Sequence, residues 1–426
     1  METSRSRYSI LVSAAIQLAL GAFTAHPYDG RVFLAVGYSV AHGSSPYVPA
    51  NVSEVFGSSL FPEPVPGIGY PPPWSLMLSL CYLLSYNLFH NLILYNLAVK
   101  VPVIIGNILL ALLVGKMVLS ENSDAILSER ATRFMLFNPY VIYTTAIWGQ
   151  FDTVSVFLML LSVFELTRSK WRFSAAVLGG AIALKVIPVV LFPILLLHES
   201  KRGGWRRAFE YSVPVLAVVG LSFTPFLLGW SITPIVENWN VHFLRVGAFS
   251  PMSILLLFGI NLSTEGLDLL GYLWLPSLML IYYVLSKRSI TKPSDLILAA
   301  LAIMLGLSLT RSWVSEQNLN FVLPLVLLAS IAQGWSKRWV AATWVLPLIF
   351  AFLNAFPLLM LFLVAPESVL QSVSPNQLLL DVGRMALVLI TTIWLIIGLG
   401  VLRKSIGECG ASTRPRKSDP NVPRDF

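Results

Sequence analysis

The sequence has few charged residues and almost no cysteine. Only 12% of its 426 residues are charged, about half of the roughly 25% that is usual in soluble domains. Its two cysteines, Cys81 and Cys409, lie far apart in the chain, so neither a disulfide framework nor a cysteine metal site follows. No P-loop and no dinucleotide-binding glycine motif is present, which argues against a nucleotide-fuelled reaction.

Long apolar runs replace the missing charge. Hydrophobic residues make up 56% of the chain, and runs of roughly 18 or more of them recur, which is the signal of transmembrane helices. The runs are continuous rather than alternating, which excludes a membrane-spanning β-barrel. We therefore predict an all-α, polytopic transmembrane helical bundle of about 12 spans. Its first helix, around Tyr8 to Phe23, is retained because no good cleavage site follows it.

A long outer loop follows the first span, from residue 26 to about residue 88. Its middle is rich in Pro, Gly and Ser, which predicts an extended chain. The apolar stretch from Trp74 to Leu84 is too short to cross the membrane, so we expect an interfacial helix there. The transmembrane domain then comprises residues 1–402, with 26–88 as the outer catalytic loop. The polar segment 403–426 is predicted to be a disordered cytoplasmic tail.

The basic residues predict the orientation. Twenty-three of the 29 Lys and Arg residues lie in segments that the alternating spans place on one side, among them 116–133, 200–207 and 287–293. The positive-inside rule makes this side cytoplasmic, with both termini, and explains the net charge of +8 without a nucleic-acid partner. The six other cations lie in spans or on the outer side: Arg31, Lys100, Lys185, Arg245, Arg311 and Arg384. Each either extends to the interface or serves a buried anion such as phosphate.

The outer segments carry a series of short motifs. They are YDGRVF and HGSSPY in the first loop, then GYPPPW (69–74), NPYVIYTTAIWGQFD (138–152), ALKVIPVVLFP (183–193), WNVHFLRVGAFSPM (239–252) and WVSEQNLNFVLP (313–324). The order of these motifs, and their common position on the predicted outer side, resemble those of the GT-C superfamily of polyprenyl-phosphate-dependent glycosyltransferases. Within it, the series resembles the catalytic subunit of GPI mannosyltransferase I and its prokaryotic relatives. The Asp-x-Asp of that family is reduced here to Asp29.

The resemblance implies a membrane glycosyltransferase that acts on the outer or luminal face with inversion. It would move a sugar, mannose or another hexose, from a polyprenyl or dolichyl phosphate to a hydroxyl of a lipid or glycan acceptor. It implies no certain cofactor, leaves room for a divalent cation, and allows a small membrane subunit as partner. With only one acid in the first motif, a metal site of two carboxylates is not expected.

We expect Asp29 to be the catalytic base, because the attacking hydroxyl must lose a proton to a nearby carboxylate. The departing phosphate needs fixed cations, for which Lys185, Arg245 and Arg311 are candidates. The remaining predicted substrate-binding residues lie in the same outer motifs: Arg31, Tyr47, Asp152, His242, Glu316 and Gln317.

Simpler interpretations stay open. Asp29 would then pair with Arg31, Arg311 would pair with Glu316, and Asp152 would cap a helix. The Trp residues of the outer motifs would form an aromatic belt rather than a sugar platform. Two other functions are also open. One is a non-catalytic subunit similar to the U component of the GPI transamidase. The other is a secondary transporter, although no internal repeat is visible.

Overall fold

The computed structural model describes residues 4–62, 64–237, 245–257, 264–354, 357–365 and 377–411. The fold is helical with almost no sheet, which confirms the all-α prediction. The helices of the first half of the chain are α1 Ser4–Phe23, α2 Pro27–Ala41, α3 Ser53–Phe56, α4 Pro72–Leu84, α5 Tyr86–Phe89, α6 Leu92–Asn122, α7 Ala125–Phe137, α8 Pro139–Ile142, α9 Asp152–Thr167 and α10 Trp171–Leu184.

The second half of the chain continues this pattern. Its helices are α11 Phe192–Ser222, α12 Thr224–Leu227, α13 Ile254–Leu257, α14 Thr264–Tyr272, α15 Trp274–Ser286, α16 Pro293–Thr310, α17 Leu323–Gln333, α18 Lys337–Asn354 and α19 Gln377–Glu408. One π-helical turn, Tyr143–Ile147, and four 3-10 turns, Ile187–Leu191, Pro251–Ser253, Glu316–Phe321 and Pro357–Leu361, connect them. Two short strands, β1 Gly247–Ala248 and β2 Trp313–Val314, pair in parallel.

Four helices of the described residues are long and apolar enough to cross a membrane: Leu92–Asn122, Leu269–Ser286, Pro293–Thr310 and Val382–Glu408. A fifth span exists if α1 and α2, which meet at 87°, are counted as one broken helix. The predicted count of about 12 spans is therefore not confirmed. Several predicted spans coincide with shorter helices, because Pro139 and Pro188 divide their apolar runs.

The described helices extend into two segments that were predicted to be loops. The first outer loop begins with α2, which sequence analysis does not predict, and α4 supplies the helix expected at Trp74 to Leu84. The basic segment predicted as an inner loop at 200–207 is helical up to a kink at Gly203 and Gly204. At the C-terminal end, α19 continues to Glu408, beyond the boundary predicted at residue 402.

The core is centred on α16. Every residue from Asp295 to Leu309 is buried, as expected of a helix that is apolar on all sides. A second buried cluster lies under the first outer loop, where the aromatic rings of Phe33, Trp74 and Phe151 meet. The candidate site lies between this cluster and the C-terminal ends of α10 and α16.

Candidate active site

Asp29 lies in the first turn of α2, directly after the bend that follows α1. His26 is the N-cap of this helix, and its Nδ1 accepts the amide N–H of Asp29 at 3.2 Å. Pro27 suits the first helical position because its missing N–H would have no partner there. The helix dipole stabilises an acid at this end. The loop position predicted for Asp29 is therefore corrected to a helix start.

The carboxylate of Asp29 is held by a turn that follows 119 to 121 positions later. Trp148 Nε1 and Gln150 Nε2 both donate to its Oδ2, each at 2.7 Å. The indole of Trp148 also stacks on His26, with ring centroids 4.3 Å apart. Within the described residues, Oδ1 of Asp29 receives no hydrogen bond, and 22% of the side chain is exposed. One carboxylate oxygen thus remains open to a substrate hydroxyl.

Gly149 shapes the turn that presents these two donors. It adopts φ +95°, which a residue with a Cβ rarely adopts. The preceding π-helical turn closes with a bond from the Trp148 amide to the Tyr143 carbonyl at 2.8 Å. A further bond joins the Gln150 amide to the Thr144 carbonyl at 2.9 Å. The two side chains on either side of the glycine can therefore converge on one oxygen.

Asp152 begins α9 and forms a buried ion pair with Lys185, which follows the last residue of α10. Lys185 Nζ lies 2.6 Å from Asp152 Oδ1, and the two side chains are 7% and 0% exposed. This burial contradicts the alternative that Lys185 extends to the membrane interface. The helix-capping alternative for Asp152 also fails, since Phe151 holds the N-cap position. The ammonium also lies over the ring of Tyr70, 5.4 Å from its centroid.

Lys185 lines a cavity of about 220 Å³ together with Arg311 and Gln317. Three residues that sequence analysis selected independently are thus brought to one place. The other walls are largely apolar or aromatic and include Tyr70, Val186, Val189, Trp274, Leu307 and Trp313. A cavity with apolar walls and two cations, of which Lys185 is paired with Asp152, is suited to an anionic group attached to a hydrocarbon chain.

Arg311 and Glu316 do not pair, which corrects the simpler interpretation of both. Within the described residues Arg311 forms no ion pair. Glu316 instead accepts the amide of Asn354 at 3.1 Å, and its backbone carbonyl accepts the hydroxyl of Tyr140 at 2.6 Å. Burial raises the pKa of the Glu316 carboxyl, and the nearby charge of Asp29 adds to that rise. Glu316 does not line the cavity, so the structure separates it from its neighbour Gln317.

Arg245 is held close to the cavity by the strand pair. The Gly247 amide donates to the Ser312 carbonyl at 3.0 Å, and Ser250 Oγ donates to the Arg311 carbonyl at 2.7 Å. The Arg245 guanidinium lies over the ring of Trp313, a residue of the cavity wall, at 5.6 Å. The chain segments that carry Arg245 and Arg311 are therefore hydrogen-bonded to each other.

Two other predicted substrate-binding residues do not line the cavity, and a third lies outside the described residues. Tyr47 is buried, and its ring stacks on that of Phe226 with centroids 5.3 Å apart. Arg31 lies over the ring of Phe362 at 5.1 Å. His242 lies outside the described residues. Tyr47 thus has a packing position in the second buried cluster.

Tyr70 is near both carboxylates, Asp29 and Asp152. Burial raises the pKa of its hydroxyl, and the charges of Asp29 and Asp152 both add to that rise. Since Tyr70 is also part of the cavity wall, Asp29 is near the cavity that Lys185 and Arg311 line.

A known family matches this part of the chain. The model of glycosyltransferase family 87 matches residues 69–242, a range that includes Tyr70, Gln150, Asp152 and Lys185. The protein is a glycosyltransferase. Its apolar helices and this match indicate an integral membrane protein. No curated protein matches the chain, and the finer resemblance to GPI mannosyltransferase I is not confirmed.

Three residues around the site of this glycosyltransferase were not among the predicted catalytic and substrate-binding residues. They are Tyr70, Trp148 and Gln150, although all three lie in the motifs GYPPPW and WGQFD that sequence analysis singled out. Trp148 was open to an aromatic-belt interpretation, which its 5% exposure does not support. The sequence signal that could have identified two of them is that Trp148 and Gln150 flank a glycine and lie close to the acid Asp152.

The possible divalent cation stays a prediction for this enzyme. In the part of the chain that the structure describes, no group of three or more His, Cys, Asp or Glu side chains is arranged to hold a metal ion. Asp152, one potential ligand, already binds Lys185.

Proposed function

We propose that this glycosyltransferase moves a hexose, mannose in the finer resemblance, from a polyprenyl phosphate to an acceptor hydroxyl on a lipid or glycan. The observation that carries the proposal is that Tyr70, which lines the cavity together with Lys185 and Arg311, is also near the carboxylate of Asp29. The apolar walls at Val186, Val189 and Leu307 offer a surface for the polyprenyl chain.

In this mechanism Asp29 is the general base. Its free Oδ1 accepts the proton of the acceptor hydroxyl while the hydroxyl oxygen attacks the anomeric carbon. Trp148 and Gln150 hold the other oxygen, Oδ2, so the carboxylate does not need to reorient during the reaction. A single displacement of this kind inverts the anomeric configuration and requires only one carboxylate.

The leaving group is the lipid phosphate. The bond between the anomeric carbon and the phosphate oxygen breaks, and the phosphate leaves with the electron pair. Lys185 and Arg311 then stabilise its negative charge. Arg245 would approach from the edge beside Trp313, and Gln317 can donate to phosphate or to a sugar hydroxyl.

We further propose that the site faces the outer or luminal side, with both termini cytoplasmic. Support comes from the excess of Lys and Arg in the segments predicted to be inside. A small membrane subunit can associate with the enzyme under this proposal, but catalysis is assigned to residues of this chain alone.

The direct test supplies purified full-length protein in lipid nanodiscs with a panel of polyprenyl-phosphate sugars and glycolipid acceptors. Transfer from at least one lipid-phosphate sugar, with inverted product, is the expected result. Transfer from sugar nucleotides but from no lipid-phosphate sugar would contradict the proposal. Glu54→Gln, which changes an exposed acid of the first outer loop, is a matched control for Asp29→Asn in this assay.

A further inference from the structure

We propose that Lys100 is a positioning residue that keeps Asp29 and its two hydrogen-bond donors, Trp148 and Gln150, in their positions relative to each other. This inference rests on the proposed function, because it gives Lys100 a role only through the carboxylate that acts as base. Lys100 lies in α6 and is 1% exposed. It lines neither the cavity nor the open side of Asp29, so any effect on transfer must pass through other residues.

The ammonium of Lys100 connects the two segments that form the base. Its Nζ donates to the backbone carbonyl of Thr24, two residues before His26. It also donates to the carbonyls of Ala146 at 2.6 Å and Ile147 at 3.0 Å, directly before Trp148. One cation thus bonds the chain that leads into Asp29 and the chain that leads into its donors.

These carbonyls are suitable partners for a cation. Thr24 follows the last residue of α1, and Ala146 and Ile147 end the π-helical turn. Carbonyls at helical C-termini lack intrahelical donors and carry partial negative charge. Within the described residues no carboxylate pairs with Lys100, so its charge is balanced only by these backbone dipoles. A buried cation is costly in a membrane protein unless such partners satisfy it.

The surroundings fit the lysine stem closely. A Cβ on Gly149 would lie 3.1 Å from Lys100 Cε, and a Cβ on Gly21 would lie 3.2 Å from its Cδ. One turn earlier on α6, Asn96 donates to the carbonyls of Gly21 at 2.8 Å and Thr24 at 3.1 Å. The side chain is therefore enclosed by the turn that it supports.

Loss of the ammonium would remove the donor that the carbonyls of Ala146 and Ile147 share with the Thr24 carbonyl, which weakens the connection between the two segments. Apart from the two bonds to Asp29 Oδ2 and the stacking of His26 on Trp148, a backbone bond from the His26 amide to the Trp148 carbonyl at 3.1 Å joins these segments. A displacement of about 1 Å in a catalytic group can slow a reaction by roughly 100-fold. Lys100 does not line the proposed donor cavity, so the affinity of that cavity for the donor should not change.

The first test measures transfer and donor binding for Lys100→Met in nanodiscs. We expect kcat to fall by roughly 10- to 100-fold, with the dissociation constant of the lipid-phosphate donor unchanged. Asn107→Leu is the control, since Asn107 is buried on the same helix but bonds to Gln17 at 2.9 Å. It should lower thermal stability with no comparable loss of kcat.

A double-mutant cycle separates positioning from general destabilisation. Residues that act through one another are not additive, so Lys100→Met combined with Gln150→Leu should be no slower than the slower single variant. Multiplied losses would contradict the proposal. Lys100→Gln has a side chain one bond shorter than lysine and carries no charge, so its kcat should also fall, and it supplies the measurement if Lys100→Met does not fold. An unchanged kcat in the folded variant overturns the role of Lys100, whereas full turnover in Asp29→Asn overturns the proposed function itself.

Discussion

Trp148 Nε1 donates to Asp29 Oδ2 at 2.7 Å, although the two residues are 119 positions apart. This bond joins the first helix of the outer loop to the turn before α9. Both bonds to Asp29 go to this one oxygen, and they fix the position of the carboxylate at the start of α2.

Asp29→Asn should slow transfer by about 10²- to 10⁴-fold, the usual contribution of a general base. The amide oxygen can still accept from Trp148 and Gln150, so folding and donor binding should persist. Initial rates at saturating donor, with donor binding measured separately, check this. Full turnover in Asp29→Asn would place the base elsewhere, with Asp152 as the next acid to test.

Arg311→Gln and Lys185→Gln should each weaken binding of the lipid-phosphate donor. The loss of one charge-assisted hydrogen bond is worth about 1.5–3 kcal/mol, or roughly 10- to 100-fold in Kd. Equilibrium binding of a labelled donor measures the change, and Arg338→Gln, an exposed cation outside the cavity, is the control. Unchanged donor affinity in both variants would show that the donor phosphate does not bind in this cavity.

Asp152→Asn should destabilise the protein, because it leaves the ammonium of Lys185 buried without its anion. Removal of one partner of a buried ion pair typically costs about 3–5 kcal/mol. Glu210→Gln breaks the largely exposed pair with Arg206 and should cost about 0–1 kcal/mol. Thermal unfolding in the same nanodiscs compares the two, and equal melting temperatures would argue against the buried pair as a stabilising contact.

The proposed orientation predicts opposite thiol accessibility at two exposed positions. Cysteine at Arg206 should be protected from a membrane-impermeant reagent in intact cells, and cysteine at Asn51 should react. The native Cys81 and Cys409 are buried, which keeps the background low. Labelling at 206 together with protection at 51 would invert the orientation.

Local patterns in the sequence were sufficient for the fold class and for a short set of candidate residues. Scarce charge and long apolar runs predict membrane helices because each residue's cost or gain in lipid depends on its own side chain. Lys185 and Arg311 stood out for the same reason, as cations in spans or at the outer side where neither is expected. Such signals need only neighbours along the chain, so no tertiary contact is required to detect them.

The tertiary structure alone decided which candidates meet. Lys185, Arg311 and Gln317 share a cavity, while Glu316, adjacent in sequence to Gln317, turns to Asn354 and Tyr47 packs on Phe226. The assignment of Trp148 and Gln150 to Asp29, and of Lys100 to the carbonyls behind them, depends on how α1, α6 and the π-helical turn pack. Hydrogen bonds act over about 3 Å, so residues that lie more than 100 positions apart in the chain can form a site only when helix packing brings them together.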